Sequence, residues 1–151
     1  MLPLSGTDVA ATCATLLAGV DGPVRVDGPG GAALAPALAP RLRVVGGGAP
    51  AAAAVVSFLG APVVAAQRAA LLDAVRAALP AGAPLVVVDH NQPRTWARRL
   101  IGAALLVARG MAPSRARHPT ARELAGRGFA VERLRLAAGE RVQLVVARRA
   151  G

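Results

Sequence analysis

The densest group of chemically capable side chains follows an apolar run: Asp89, His90, Asn91 and Arg94 come directly after Pro84–Val88. A histidine there can act as a base, since an unperturbed imidazole titrates near pH 6.5. Asp89, Asn91 and Arg94 can hold a polar substrate beside it. A second group, Arg115, Arg117 and His118, lies in the loop from Ala112 to Pro119 and suits an acidic or phosphate-bearing molecule. The third is the turn Asp27-Gly28-Pro29-Gly30-Gly31, in which small residues let a ligand approach the backbone. Each group also has an ordinary explanation. Asp89 to Pro93 can be a polar loop that caps the next helix, the arginines a solvated loop, and the glycines a plain strand-to-helix turn.

Elements of alternating type must position these groups. A helix is expected over Asp8–Ala18, opened by a capping box in Ser5–Asp8 and stopped by Gly19. Short strands are expected at Pro23–Val26 and Leu42–Val45, separated by a short helix, Ala32–Leu38. Ala53–Leu59 is apolar and carries β-branched Val55 and Val56, which suits a buried parallel strand. Gln67–Leu79 has helical spacing, and Pro84–Val88 is the clearest strand. Thr95–Arg109 is a helix apolar nearly all round, so it is expected to be buried or covered by a partner. Thr120 and Glu123 form a second capping box over a short helix ending near Gly126. Phe129–Leu136 and Arg141–Arg148, joined by Ala138-Gly139-Glu140, then read as an antiparallel hairpin.

Composition narrows the function classes. The 151 residues suit one domain, expected to span 1–151, with a core of Leu, Val and Ala. Only Phe58, Trp96 and Phe129 are aromatic. Cys13 has no disulfide partner and reads as a small core residue, and no Cys/His cluster has metal-binding spacing. All 18 basic side chains are arginine. Residues 1–75 carry four Arg and four Asp, whereas 76–151 carry fourteen Arg and four acids, the whole net charge of +10. A basic half points to an acidic partner, substrate or surface. Nucleic acid is disfavoured as that partner, because no reading motif occurs and aromatic residues for base stacking are scarce. No signal peptide and no transmembrane segment is read, so a cytoplasmic protein is expected. Arg98, Arg99 and Arg109 frame the apolar helix 95–109 as a homo- or hetero-oligomer contact, which its weak polar face favours over a membrane-surface helix.

The second half of the chain resembles the class I S-adenosylmethionine-dependent methyltransferases. The resemblance is carried by the helix Ala69–Leu79, the turn Pro80–Pro84, the strand Leu85–Asp89, and Arg122–Phe129 with Val131-Glu132-Arg133 before the hairpin. It implies an α/β fold: a Rossmann-like methyltransferase sheet, mostly parallel with a C-terminal antiparallel hairpin. It also implies S-adenosylmethionine as cofactor, with Asp27, Gly28 and Gly30 at its site. A small-molecule acceptor, acidic if the arginines serve it, would be held by Asp89, Asn91, Arg94, Arg115 and His118, with His90 as its base. The first half departs from the family's pattern. Gly46-Gly47-Gly48 stands where strand two would end in an acid for the cofactor's ribose, and Ala52–Ala54 replaces a strand-opening Asp. A strand with its helices is missing between them, so the sheet is shortened in the middle. Two functions follow: methyl transfer to a small molecule, or a non-catalytic relative that stabilises or regulates a partner protein.

Overall fold

The computed structural model describes residues 6–151. Six strands form one sheet: β1 (Val24–Asp27), β2 (Val44–Val45), β3 (Ala53–Ser57), β4 (Pro84–His90), β5 (Phe129–Ala137) and β6 (Val142–Arg149), in the order β2-β1-β3-β4-β6-β5. β2, β1, β3 and β4 run parallel, while β6 pairs antiparallel with both β4 and β5. This is the mostly parallel sheet with a terminal hairpin that the sequence pattern predicts.

Helices cover both faces, which is why β3 is buried along its whole length rather than alternating. On one face α1 (Gly6–Leu16) and α2 (Gly31–Leu38) pack Val9, Cys13, Leu34 and Leu38 against Val55, Val86, Val88 and Leu144. On the other, α3 (Ala65–Ala78) and α5 (Thr120–Gly126) pack Leu72, Val75 and Leu124 against Val56, Val87 and Val145. Cys13 sits in the first of these layers, where burial pushes its thiol up to about 12, a core residue and not a nucleophile.

Three details bear on the expectations, and one expectation, the capping box at Ser5–Asp8, lies partly outside the described residues. That at Thr120 does not cap: Pro119 is the N-cap residue without a side-chain bond, and Thr120 and Glu123 turn their polar atoms elsewhere. The helix α4 (Trp96–Ala108) buries only Leu106, leaving Trp96, Leu100, Ile101 and Val107 exposed. A 3-10 helix, Pro113–Arg117, follows it where a loop is expected, and is the element with which α4 packs. No helix among the described residues is long and apolar enough to cross a membrane.

The hairpin turn is unusual. Ala138, Gly139 and Glu140 all have positive φ, at 53°, 65° and 68°. For alanine and glutamate this left-handed backbone costs about 1–2 kcal/mol each, so the surroundings must hold it. They do: the Glu140 carbonyl accepts from Asn91 Nδ2 at 2.7 Å, and its carboxylate accepts the Arg94 N–H at 3.1 Å. The turn is thereby tied to the loop that leaves β4.

Candidate functional site

β1, β2, β3 and β4 all end at the same edge of the sheet. The chain leaves β1 to form β2 on one side and returns to form β3 on the other, and such a switch point is where open α/β sheets place ligands. Two regions of this edge hold the sequence candidates, and they are built differently.

The first lies at the ends of β1 to β3. Asp27 ends β1 and forms an ion pair with Arg25 on the same face of the strand. Gly28 has a φ of 93°, and a Cβ there would collide with the Ser57 carbonyl. A Cβ on Gly30 would strike the Ser57 hydroxyl and come within 2.9 Å of the Leu59 carbonyl. The Gly30 N–H donates to the Ser57 carbonyl at 3.0 Å. The glycines are thus required by the close approach of β3 itself. Beside them is a cavity of about 270 Å³, walled by Val9, Ala33, Leu34 and Leu59, with Arg109 as its charged group. These residues offer an apolar wall and one cation. They place no carboxylate for a ribose, since β2 runs out into Gly46–Gly48 and Asp27 is already paired. As a set they do not fit the whole of S-adenosylmethionine.

The second region lies at the end of β4 and is organised by a buried arginine. Arg68, in the first turn of α3, is 2 % exposed. Its guanidinium lies 3.9 Å from the centre of the Phe58 ring and reaches Asp89 Oδ2 at 2.6 Å and Glu123 Oε2 at 2.5 Å. The Thr120 hydroxyl donates to Asp89 Oδ2 at 2.8 Å, and the His90 N–H donates to Oδ1 at 2.8 Å. Arg115 approaches Oδ1 at 3.3 Å, while burial lowers its pKa and Asp89 opposes that shift. His118 Nε2 meets Glu123 at 3.0 Å. Asp89, Arg115 and His118 are therefore brought together, but to each other and to α5. Asp89 is fully buried, with both oxygens engaged inside the fold.

His90 points away from this network. It is 5 % exposed, its carbonyl accepts from Gln143 Nε2 at 2.9 Å, and its own Nε2 has no hydrogen-bond partner among the described residues. Burial lowers its pKa to about 4, with Asp89 raising it and Arg115 and Arg109 lowering it further, so the ring is neutral at pH 7. It lines a cavity of about 200 Å³ together with Asn91, the α4 side chains Leu100 and Leu106, and four arginines: Arg99, Arg109, Arg117 and Arg141. Arg94 stays outside, exposed, and contributes its backbone N–H to Glu140. Arg109 borders both cavities.

The sequence pattern draws attention to His90, Asn91, Asp89, Arg115 and His118, and misses Arg68. An arginine in the first turn of an otherwise ordinary amphipathic helix carries no local sign of burial. Thr120 and Glu123 are visible in the sequence as a pair, under a different role.

No family model and no curated protein matches this chain. Solved structures do. The mitomycin 7-O-methyltransferase MmcR superposes with a TM-score of 0.59 at 22 % identity, over 94 % of this chain and 54 % of its own. PigF with SAH gives 0.59 at 16 % identity, over 92 % and 46 %. A putative methyltransferase from Bacillus halodurans gives 0.62 at 15 % identity, over 93 % of this chain and 98 % of its own. The chain thus spans about half the length of MmcR and PigF and nearly all of the Bacillus protein. At these low identities the likeness is one of fold: the mostly parallel sheet with its antiparallel terminal hairpin is that of the class I S-adenosylmethionine-dependent methyltransferases.

Proposed function

We propose that this chain is a methyltransferase-fold binding subunit that keeps the acceptor side of the site without a complete donor side, and that it does not transfer methyl groups alone. The observation that supports this best is that, among the described residues, no free carboxylate stands at the ends of β1 to β3, where Gly46–Gly48 follows β2 and Arg25 holds Asp27. A ribose left without its charge-assisted hydrogen bonds forfeits about 1.5–3 kcal/mol for each. The exposed Trp96, Ile101 and Val107 of α4 offer an apolar surface on which a partner protein would seat. Calorimetric titration with S-adenosylhomocysteine tests the reading. No binding at millimolar ligand is expected; micromolar binding that weakens in Asp27→Ala would overturn it.

A second reading, methyl transfer to a small-molecule acceptor, is favoured by Arg109, which borders both cavities and so places a donor and an acceptor side by side. His90, neutral at pH 7 with a free Nε2, would then accept the acceptor's proton. The cofactor, if held, would supply an already activated methyl group. The same titration separates the two.

A further inference from the structure

We propose that the cavity beside His90 is a binding site for a small ring-bearing carboxylate, with the ring against α4 and the carboxylate among Arg99, Arg109, Arg117 and Arg141. This rests on the reading that the acceptor side is retained, and it names the class of molecule that side takes. Size comes first. An apolar cavity of about 150 Å³ holds benzene, so 200 Å³ has room for one substituted ring. Its walls are apolar where α4 and the β4 loop face it, at Leu100, Leu106 and Pro93.

Charge comes second. Four arginines line this small space and no acidic side chain among the described residues does. Arg99 Nε is held by the Pro93 carbonyl at 2.8 Å and Arg141 Nε by the Ala138 carbonyl at 3.1 Å, so both guanidinium groups are anchored with N–H donors to spare. Arg109 and Arg117 have no side-chain hydrogen bond or ion pair to any of the described residues. A cationic ligand would be repelled here, whereas an anion can reach the exposed Arg99 and Arg117 and the half-buried Arg109 and Arg141. A carboxylate accepts paired N–H donors from arginine in a geometry that suits both.

The third observation is His90 Nε2, buried and without a partner in the cavity wall. Buried polar atoms are normally hydrogen-bonded. A hydroxyl on the ring, or one carboxylate oxygen, would satisfy this atom and fix the ligand's orientation.

Equilibrium dialysis or calorimetry on the whole chain, at physiological salt, tests the proposal with four probes: benzoate, benzyl alcohol, benzylamine and inorganic phosphate. Benzoate is expected to bind at least tenfold more tightly than each of the others. Arg117→Met and Arg109→Met, which break no described side-chain contact, are each expected to weaken benzoate about tenfold and leave benzyl alcohol unchanged, with thermal unfolding confirming that both variants fold. Benzoate binding no tighter than benzyl alcohol or phosphate, an arginine variant that folds and binds normally, or no binding of any probe would overturn it. The titration with S-adenosylhomocysteine reads separately. A chain that binds that ligand and also prefers benzoate retires the incomplete donor side and keeps the carboxylate site; a chain that binds neither does the reverse.

Discussion

The two ends of the strand edge solve the same packing problem in opposite ways. At β1 to β3 the chain closes on itself with backbone: glycines let the turn lie against Ser57, and the charges present, Arg25 and Asp27, cancel locally. At β4 it closes with charge: Arg68 draws Asp89 and Glu123 inward, and with them α5 and the segment carrying Arg115 and His118. The backbone closure leaves Arg109 as the charged group of the cavity beside it. The charged closure faces one side of the strand end, while His90 on the other side lines a cavity.

The contrast can be broken first at its charged end. Arg68→Met keeps most of the volume but takes the shared guanidinium from two carboxylates, one of them fully buried. It is expected to lower stability by about 3–5 kcal/mol in urea unfolding, with α5 and residues 112–119 losing their order first. A loss below about 1 kcal/mol would mean that the network is not what holds this end. At the backbone end, Gly28→Ala meets the Ser57 carbonyl in left-handed backbone, and overpacking plus that conformation should cost about 3 kcal/mol. The cost should appear whether or not S-adenosylhomocysteine is present, because β3, not a ligand, demands the glycine.

The smallest effect sharpens the comparison through pH. The unfolded His90 takes up a proton near pH 6.5, whereas the folded one does so only at about 4. Between these values the unfolded state binds more protons, so stability falls as pH falls through that window, by about 2 kcal/mol between pH 7 and pH 5. His90→Gln should flatten the slope in denaturant titrations at those two pH values. An unchanged slope would assign it to another group.

Much of this is visible in the residue pattern, and what is not has a common cause. Apolar runs need no partner to be recognised: Leu85 to Val88 and Ala53 to Ser57 read as buried strands because apolar content over that length is a local property. The hairpin at Phe129–Arg149 is legible from another local pattern, the alternation of apolar and charged residues over Phe129–Leu136 and the turn at Ala138–Glu140. Thr120 and Glu123 are legible as a pair and misassigned in role, since the competitor for their polar atoms, Arg68, lies 52 and 55 residues away in sequence. The helix 95–109 is expected to be buried or covered by a partner; within this chain it buries a single side chain, Leu106, and packs mainly with the 3-10 helix that follows it. Gly28 and Gly30 are legible as a tight turn, but not what the turn presses against.

That lightly anchored helix has a consequence for whatever enters the His90 cavity. α4 supplies one wall of the space and is fastened to the body mainly through Leu106 and the 3-10 helix beside it. Segments with few buried contacts open at far lower free energy than core strands, so the wall and the floor of this cavity belong to different stability classes. Affinity would then be set by two factors: the contacts made once the wall is closed, and the fraction of time it is closed before the ligand arrives. Anything that lies down on the outer, apolar side of α4 would raise that fraction, and so tune binding on the inner side without touching the ligand.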